Sequence, residues 1–148
     1  MERQFDMTNP ILRHDYKVFY PITTRWMDND IYGHINNVTY YSYFDSAVNR
    51  YLIEEAGLDI QHANVVGYVV SSNCQYKAPI SYPESITVGI RVTKLGNRSV
   101  SYGVSIFKDG ANEAAAFGEF THVFVDRTSN LSVEIPAQIR HALNQLQC

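Results

Sequence analysis

A change in hydrophobic period near residue 57 is the feature that most constrains this fold. From Val38 to Ala56, apolar residues recur at spacings of i, i+4, i+7 and i+8, which is typical of an amphipathic helix. The apolar stripe consists of Tyr40, Phe44, Ala47, Val48, Tyr51 and Leu52. Gly57 is a natural stop for this helix, and the later part of the chain changes to a period of two.

The period-two segments predict four strands after the helix, and a β-rich segment predicts one before it. The predicted strands cover residues 16–25, 66–76, 86–93, 99–107 and 114–125. Ile135 and Pro136 begin a short C-terminal helix. Runs of one element type indicate an antiparallel sheet packed on a helix. The predicted fold class is therefore α+β, with a long helix covered by a five-stranded antiparallel sheet and a short helix at the end.

Composition bounds the domain organisation and the partners. With 148 residues and 45% hydrophobic content, the chain predicts one domain over 1–148, of which 1–15 form a polar N-terminal arm. The net charge of −3 offers no reason to expect nucleic acid or an acidic membrane as partner. No signal peptide or membrane-length apolar run is evident, so we expect a cytoplasmic protein. Cys74 and Cys148 form neither a disulfide framework nor a metal spacing, and we expect no metal and no cofactor.

A polar loop directly before the long helix carries the candidate chemistry. It brings Asp30, Gly33 and His34 close to a helix start, where free backbone N–H groups and the positive end of the helix dipole lie. A carboxylate can attack a carbonyl or take a proton, while N–H donors hold the carbonyl oxygen. Gly33 allows a sharp turn and a close approach to a ligand. From spacing alone, Asp30 is equally well explained as a cap of the loop or the helix.

The neighbouring polar residues have alternative roles. Asp28 is a second acid or, more commonly for such a residue, a salt-bridge partner of Arg25. His34 is a base, a donor to the substrate or a hydrogen-bonding scaffold residue. Asn36 and Asn37 suit the N-cap of the helix. No histidine has a metal-ligand spacing to other ligating residues.

The stretch from Asp30 to Tyr41 resembles the Asp-x-x-Gly-His-x-Asn-Asn-x-x-Tyr signature of hotdog-fold acyl-CoA thioesterases, specifically the 4-hydroxybenzoyl-CoA thioesterase-like family. The order of strand, loop, long helix and four strands matches that family over most of the chain. The Val123–Asp126 stretch, Val-Phe-Val-Asp, also fits a family strand end.

The resemblance implies a mechanism and an assembly. The family's acid matches Asp30, as nucleophile on the thioester or as base for a water, and the oxyanion donor matches the backbone N–H of Asn37. It also implies a dimer or a dimer of dimers, with sheets joined edge to edge and active sites at the subunit interface. The predicted catalytic set is Asp30, Gly33, His34 and Asn37, and the predicted substrate contacts are Asn36, Tyr40, Phe44, Arg98 and Ser99. Of these, Tyr40 and Phe44 would face the acyl group, and Arg98 and Ser99 the CoA phosphates.

Two other functions compete with this one. Hotdog hydratases have four residues between the paired Asp and His, whereas three residues separate Asp30 from His34 and five separate Asp28 from His34. A non-catalytic acyl-thioester-binding protein is the second alternative, because fold alone does not define function. A thioesterase that acts on an acyl carrier protein would carry the same residues. The acyl group itself is left open.

Overall fold

The long helix observed in the structure, a computed structural model that describes residues 10–147, is α1 (Asn37–Ala56). Its 20 residues span about 30 Å at 1.5 Å per residue. The Asn36 side chain accepts a hydrogen bond from the Val38 N–H at one end, and Gly57 ends the helix in the left-handed conformation at φ 67°. The predicted helix and its stop are confirmed.

The strands form one antiparallel sheet around this helix. They are β1 (Val18–Thr23), β2 (Val65–Ser72), β3 (Gln75–Tyr76), β4 (Ser85–Leu95), β5 (Ser99–Lys108) and β6 (Ala116–Asp126). The five long strands lie in the order β1-β4-β5-β6-β2, and the two-residue β3 also pairs with β6. A short helix, α2 (Ala137–Asn144), follows. The predicted α+β architecture is confirmed.

The predicted strand over 66–76 is interrupted in the structure. The chain leaves the strand after Ser72 and resumes pairing with β6 at Gln75. At the interruption the Asn73 carbonyl oxygen lies so close to Gly118 of β6 that a Cβ at Gly118 would overlap it. The Asn73 N–H donates to Glu119 O at 2.9 Å. Cys74, expected inside a strand, is half-buried in this interruption.

The core lies between α1 and the sheet. The whole predicted helix stripe is buried, and so is Tyr43, which the stripe did not include. The inward residues of β4 and β5 are Ile86, Val88, Ile90, Val92, Val100, Tyr102, Val104 and Ile106, all at most 2% exposed. α2 closes the C-terminal end of α1, where the Tyr51 hydroxyl donates to Ala142 O at 2.6 Å. The alternation of the strands therefore identified their buried faces correctly.

The end of the predicted N-terminal arm packs on the outer face of the sheet, while residues 1–9 of that arm lie outside the described residues. The Arg13 guanidinium donates to Ala111 O at 2.6 Å and to Lys108 O at 3.1 Å, and it stacks over the Phe107 ring. Within residues 10–147, no helix is both long enough and apolar enough to cross a bilayer. The cytoplasmic location stays a prediction.

Candidate active site at the start of helix α1

Asp28 is a buried structural carboxylate, only 2% exposed. Its oxygens accept hydrogen bonds from the Arg25 N–H at 2.9 Å, the Arg25 guanidinium at 3.2 Å and the Tyr43 hydroxyl at 2.7 Å. Burial alone would raise the pKa of Asp28, but the hydrogen bonds from Tyr43 and Arg25 outweigh it and hold the pKa below its usual value. The predicted salt bridge with Arg25 is confirmed. Asp28 anchors the turn before the active loop to α1.

Asp30, two residues later, is half-buried and closes the loop that follows it. Its Oδ1 accepts from the Tyr32 N–H at 2.8 Å and from the His34 N–H at 3.4 Å. Its backbone N–H donates to His34 O at 2.8 Å, and Gly33 makes the turn at φ 85°. No donor within residues 10–147 hydrogen-bonds the second carboxylate oxygen, Oδ2. Asp30 thus shapes the loop with one oxygen and keeps the other available.

The start of α1 holds an unpaired backbone donor. The Asn36 N–H donates to Asp28 O at 2.8 Å, and the Asn36 side chain caps the Val38 N–H at 3.3 Å. The next N–H, that of Asn37, finds no acceptor in the part of the chain that the structure describes, and Asn37 is exposed. This N–H lies at the positive end of a 20-residue helix, where it is suited to bind an oxyanion.

A cavity of about 310 Å³ lies at the start of α1, and Asn37 is one of the residues that line it. Its lining residues come from the helix start and from the segment after β3: His34, Ile35, Asn37, Tyr40, Tyr76, Lys77, Ala78 and Pro79. A hydrogen bond of 2.7 Å from the Ile35 N–H to Ile80 O joins these two walls. The Tyr40 and Tyr76 rings meet edge to face at 4.9 Å between centroids. Burial raises the pKa of Tyr40 to about 12, so its hydroxyl stays protonated.

Sequence reasoning missed the second wall, residues 76–79. The Lys77-Ala78-Pro79 run after a predicted strand does signal a change of chain direction. The run does not show that residues 76–79 lie beside the helix start, because their position depends on pairing with β6. The Lys77 N–H donates to Ala115 O at 2.8 Å, and this long-range bond sets the position of the wall.

Comparison with known proteins identifies the family of this chain. The profile of the Thioesterase-like superfamily matches residues 24–143, which include the loop, α1 and every strand after it. This chain belongs to that superfamily. Its sheet and central helix are the hotdog fold of acyl-CoA thioesterases, as the sequence resemblance predicted.

Many solved structures share the fold of this thioesterase-family chain. The PA5185 protein of Pseudomonas aeruginosa is 56% identical, with a TM-score of 0.93 over 94% of this chain and 97% of that one. PA2801 of the same species, named as a candidate thioesterase, is 28% identical, with a TM-score of 0.79 over 86% and 98%. BH1999, a gentisyl-coenzyme A thioesterase, is 22% identical, with a TM-score of 0.76 over 85% and 99%.

A similar curated protein is the uncharacterized YsmA of Bacillus subtilis (strain 168), at 22% identity over 96 residues. That match spans 65% of this chain and 65% of the relative, slightly less than two thirds of its length.

The structure brings some predicted site residues of this thioesterase-family chain together. His34, Asn37 and Tyr40 line the cavity, and Asp30 lies beside it through its contact with His34. Phe44, predicted to face the acyl group, has no exposed surface and belongs to the core beneath α1. One helical turn separates Phe44 from Tyr40, and Phe44 is not among the residues that line the cavity.

The predicted CoA contacts lie elsewhere in the chain. Arg98 donates to the carbonyl and the hydroxyl of Ser132 at 2.8 and 3.1 Å, and Ser99 O accepts from the Gly96 N–H. Arg140 of α2 donates to Gly96 O at 2.7 Å, which places this turn near the C-terminal end of α1. Within one chain, Arg98 and Ser99 therefore lie at the opposite end of the helix from the cavity.

Among residues 10–147, no three His, Cys, Asp or Glu side chains are arranged to hold a metal ion. His122, on β6, is 1% exposed and packs among aromatic rings. Burial lowers its pKa to about 4, so it is neutral at physiological pH.

Proposed function

We propose that this protein is an acyl-CoA thioesterase, which hydrolyses an acyl-CoA thioester to the free acid and CoA. The observation that carries the proposal is that the Asn37 N–H has no acceptor among residues 10–147 and that Asn37 lines a cavity at the positive end of α1, beside the Asp30 loop. A donor and an acid at one cavity are what hydrolysis of a thioester requires. Membership of the thioesterase-like superfamily supports the same reaction class.

The thioester carbonyl oxygen would accept a hydrogen bond from the Asn37 N–H. This hydrogen bond gains strength as negative charge develops on the oxygen in the transition state. The free Oδ2 of Asp30 would then attack the carbonyl carbon or take a proton from the attacking water. The C–S bond breaks, the CoA thiolate leaves and takes up a proton, and the acid is released. If Asp30 is the nucleophile, water subsequently cleaves the acyl-enzyme anhydride.

The other loop residues hold this arrangement. The turn at Gly33 and the bonds between Asp30 and His34 fix the carboxylate relative to the helix start. His34 also lines the cavity, and with Asn36 it would form the edge that the substrate passes. Residues held by several local bonds lose little freedom when substrate binds, which favours catalysis.

The assembly is part of the proposal. β2 is the last strand of the sheet, and Tyr68, Val69 and Val70 on it are 45–59% exposed. An exposed apolar edge strand favours pairing with another strand. We propose that β2 pairs with β2 of a second copy, in a dimer or a dimer of dimers. Because Arg98 and Ser99 lie far from the cavity of their own chain, only a second copy could bring them to CoA.

The experiment that tests the function is thiol release from a panel of aryl-, short-chain and long-chain acyl-CoAs. Wild type is compared with Asp30→Asn, which keeps a side-chain oxygen for the Tyr32 and His34 N–H groups. Loss of the acid should reduce kcat by ~10² or more, because groups in this role contribute 10²–10⁴-fold. Glu55→Gln, an exposed carboxyl at the far end of α1, is the matched control and should keep full activity.

The outcomes separate the alternatives. Full activity in a folded Asp30→Asn variant would remove Asp30 from the chemistry. A wild type that binds acyl-CoAs but hydrolyses none would indicate a binding protein. Hydrolysis of acyl carrier protein thioesters alone would assign a different carrier.

A further inference from the structure

Tyr76 lies opposite the Asn37 backbone, on the wall of the cavity that the sequence did not predict. It belongs to β3, which pairs with Ala116 of β6. The chain reaches this position because it steps over Gly118 at Asn73, which ends β2 early. The interruption thus places an aromatic side chain above the first turn of α1.

The contacts of Tyr76 join the two walls. Its hydroxyl donates to Asn37 O at 3.1 Å, and its ring meets Tyr40 edge to face. The side chain is still 42% exposed and lines the cavity with Asn37. Burial, together with the neighbouring Cys74 and Tyr41, raises the pKa of Tyr76, so the hydroxyl keeps its proton and remains a donor.

The Tyr76 hydroxyl adds a long-range contact to the first turn of α1, at Asn37. Asn37 is exposed, and the Asn36 side chain secures only the Val38 N–H, at 3.3 Å. Helix ends fray unless their first turn is tied down. A donor that stabilises a transition state must be held in place before the reaction, since reorganisation during the reaction removes its advantage.

We propose that Tyr76 is a positioning residue for the thioester carbonyl. Its hydroxyl holds the first turn of α1, so that the Asn37 N–H stays directed into the cavity, and its exposed ring is the wall against which the acyl group lies. This inference rests on the proposed function and adds a residue to it. The two parts of the side chain have separable roles, one for the carbonyl and one for the acyl group.

The test compares Tyr76→Phe, Tyr76→Ala and Tyr20→Phe on the same acyl-CoA panel. Tyr76→Phe keeps the ring and loses the hydroxyl, so kcat should fall roughly 3- to 10-fold, by a similar factor for every acyl group, with KM little changed. Tyr76→Ala also loses the wall, so KM should rise and the rise should grow with the size of the acyl group. Tyr20→Phe removes a hydroxyl from β1, outside the cavity, and should behave as wild type.

A merely structural role predicts another pattern, in which melting temperature falls and kcat per folded molecule does not. If Tyr76→Phe retains wild-type kcat on substrates that wild type hydrolyses, the positioning role is wrong and the proposed function stands. If Tyr76→Ala does not fold, the positioning role is decided by whether Tyr76→Phe loses kcat by a similar factor for every acyl group. If wild type hydrolyses no acyl-CoA, the proposed function fails and this role fails with it.

Discussion

The two ends of α1 are built in opposite ways. At the C-terminal end, Gly57 and Leu58 both donate backbone hydrogen bonds to Leu52 O, and the Tyr51 hydroxyl binds α2. At the N-terminal end, the Asn37 N–H has no acceptor among the described residues. Apolar residues there are exposed, with Ile31 at 93%. The C-terminal end, around Gly57, is satisfied by groups of its own chain and is called the closed end. The N-terminal end, around Asn37, presents unsatisfied groups and is called the open end.

This difference indicates how stability and chemistry are divided along one helix. Buried apolar contacts and satisfied carbonyls at the closed end stabilise the fold without offering a group to a substrate. At the open end, an unpaired N–H costs little while water reaches it and becomes useful when a substrate oxygen replaces that water. Changes at the open end should therefore alter turnover, and changes at the closed end should alter stability.

Asn37→Pro is expected to separate the effect on turnover from the effect on stability most strongly. Proline is well tolerated at the first helical position, and Asn36 already has the extended conformation, φ −59° and ψ 135°, that precedes proline. The substitution removes the proposed oxyanion donor and should lower kcat about 10²–10³-fold. Asn37→Ala keeps the N–H and should remain active in the same thiol-release assay. A folded Asn37→Pro variant with wild-type kcat would show that this N–H has no catalytic role.

Leu143→Ala is the counterpart at the closed end. Leu143 of α2 has no exposed surface. The cavity left by its side chain should lower the free energy of unfolding by about 2–5 kcal/mol, measured by urea denaturation. We expect kcat per folded molecule to stay within about twofold of wild type, since Leu143 lies on α2 and does not line the cavity. A large kcat loss would mean that the two ends are coupled.

Acidification should lower the free energy of unfolding through His122, which is buried in the core. The pKa of about 4 in the folded protein lies below the ordinary histidine pKa of 6.5, so the unfolded chain binds more protons between these two pH values. The contribution of neutral His122 to the free energy of unfolding is fully present above pH 6.5, and it is lost as the pH falls toward 4. Between pH 7 and 5 we expect a loss of about 1–2 kcal/mol in urea denaturation. His122→Leu should lack this component, and an equal loss in the variant would assign it to other groups.

The smallest effects are expected from a matched pair of helix caps. Asn36→Ala removes the N-cap, and Gly57→Ala places a Cβ at φ 67°, near Gln138 Nε2 at 2.7 Å. Each should cost about 1 kcal/mol of stability by thermal or urea unfolding. Only Asn36→Ala should also lower kcat, because it loosens the turn that carries the Asn37 N–H. Equal kcat values for the two variants would contradict the assignment of catalysis to the open end.

Much of the fold could be predicted because its signals are local. Helical spacing identified the buried stripe of α1, Gly57 identified its end, and alternation identified the core faces of β4 and β5. The interruption at Asn73 could not be predicted, because it depends on how closely β2 approaches Gly118. That contact joins residues 45 positions apart, and no periodicity in either segment encodes it.

The site was predictable in part for the same reason. Asp30, His34 and Asn37 belong to one contiguous loop and helix start, so the sequence already placed them together. It favoured a structural role for Asp28, but it could not show that Asp28 is buried and fully bonded while Asp30 is partly open, because that burial depends on Tyr43, nearly two helical turns into α1. It also assigned Phe44 to the acyl group, whereas packing on the sheet places that ring in the core.

By itself, the sequence determined the helix, the strand faces and the loop that presents an acid before a helix start. These follow from side-chain spacing, glycine and cap residues within a few positions of one another. Only the tertiary structure decided that Tyr76 and Lys77 complete the cavity and that Arg98 lies at the other end of α1. Strand pairing sets those distances, and pairing depends on contacts between segments that are far apart in the chain.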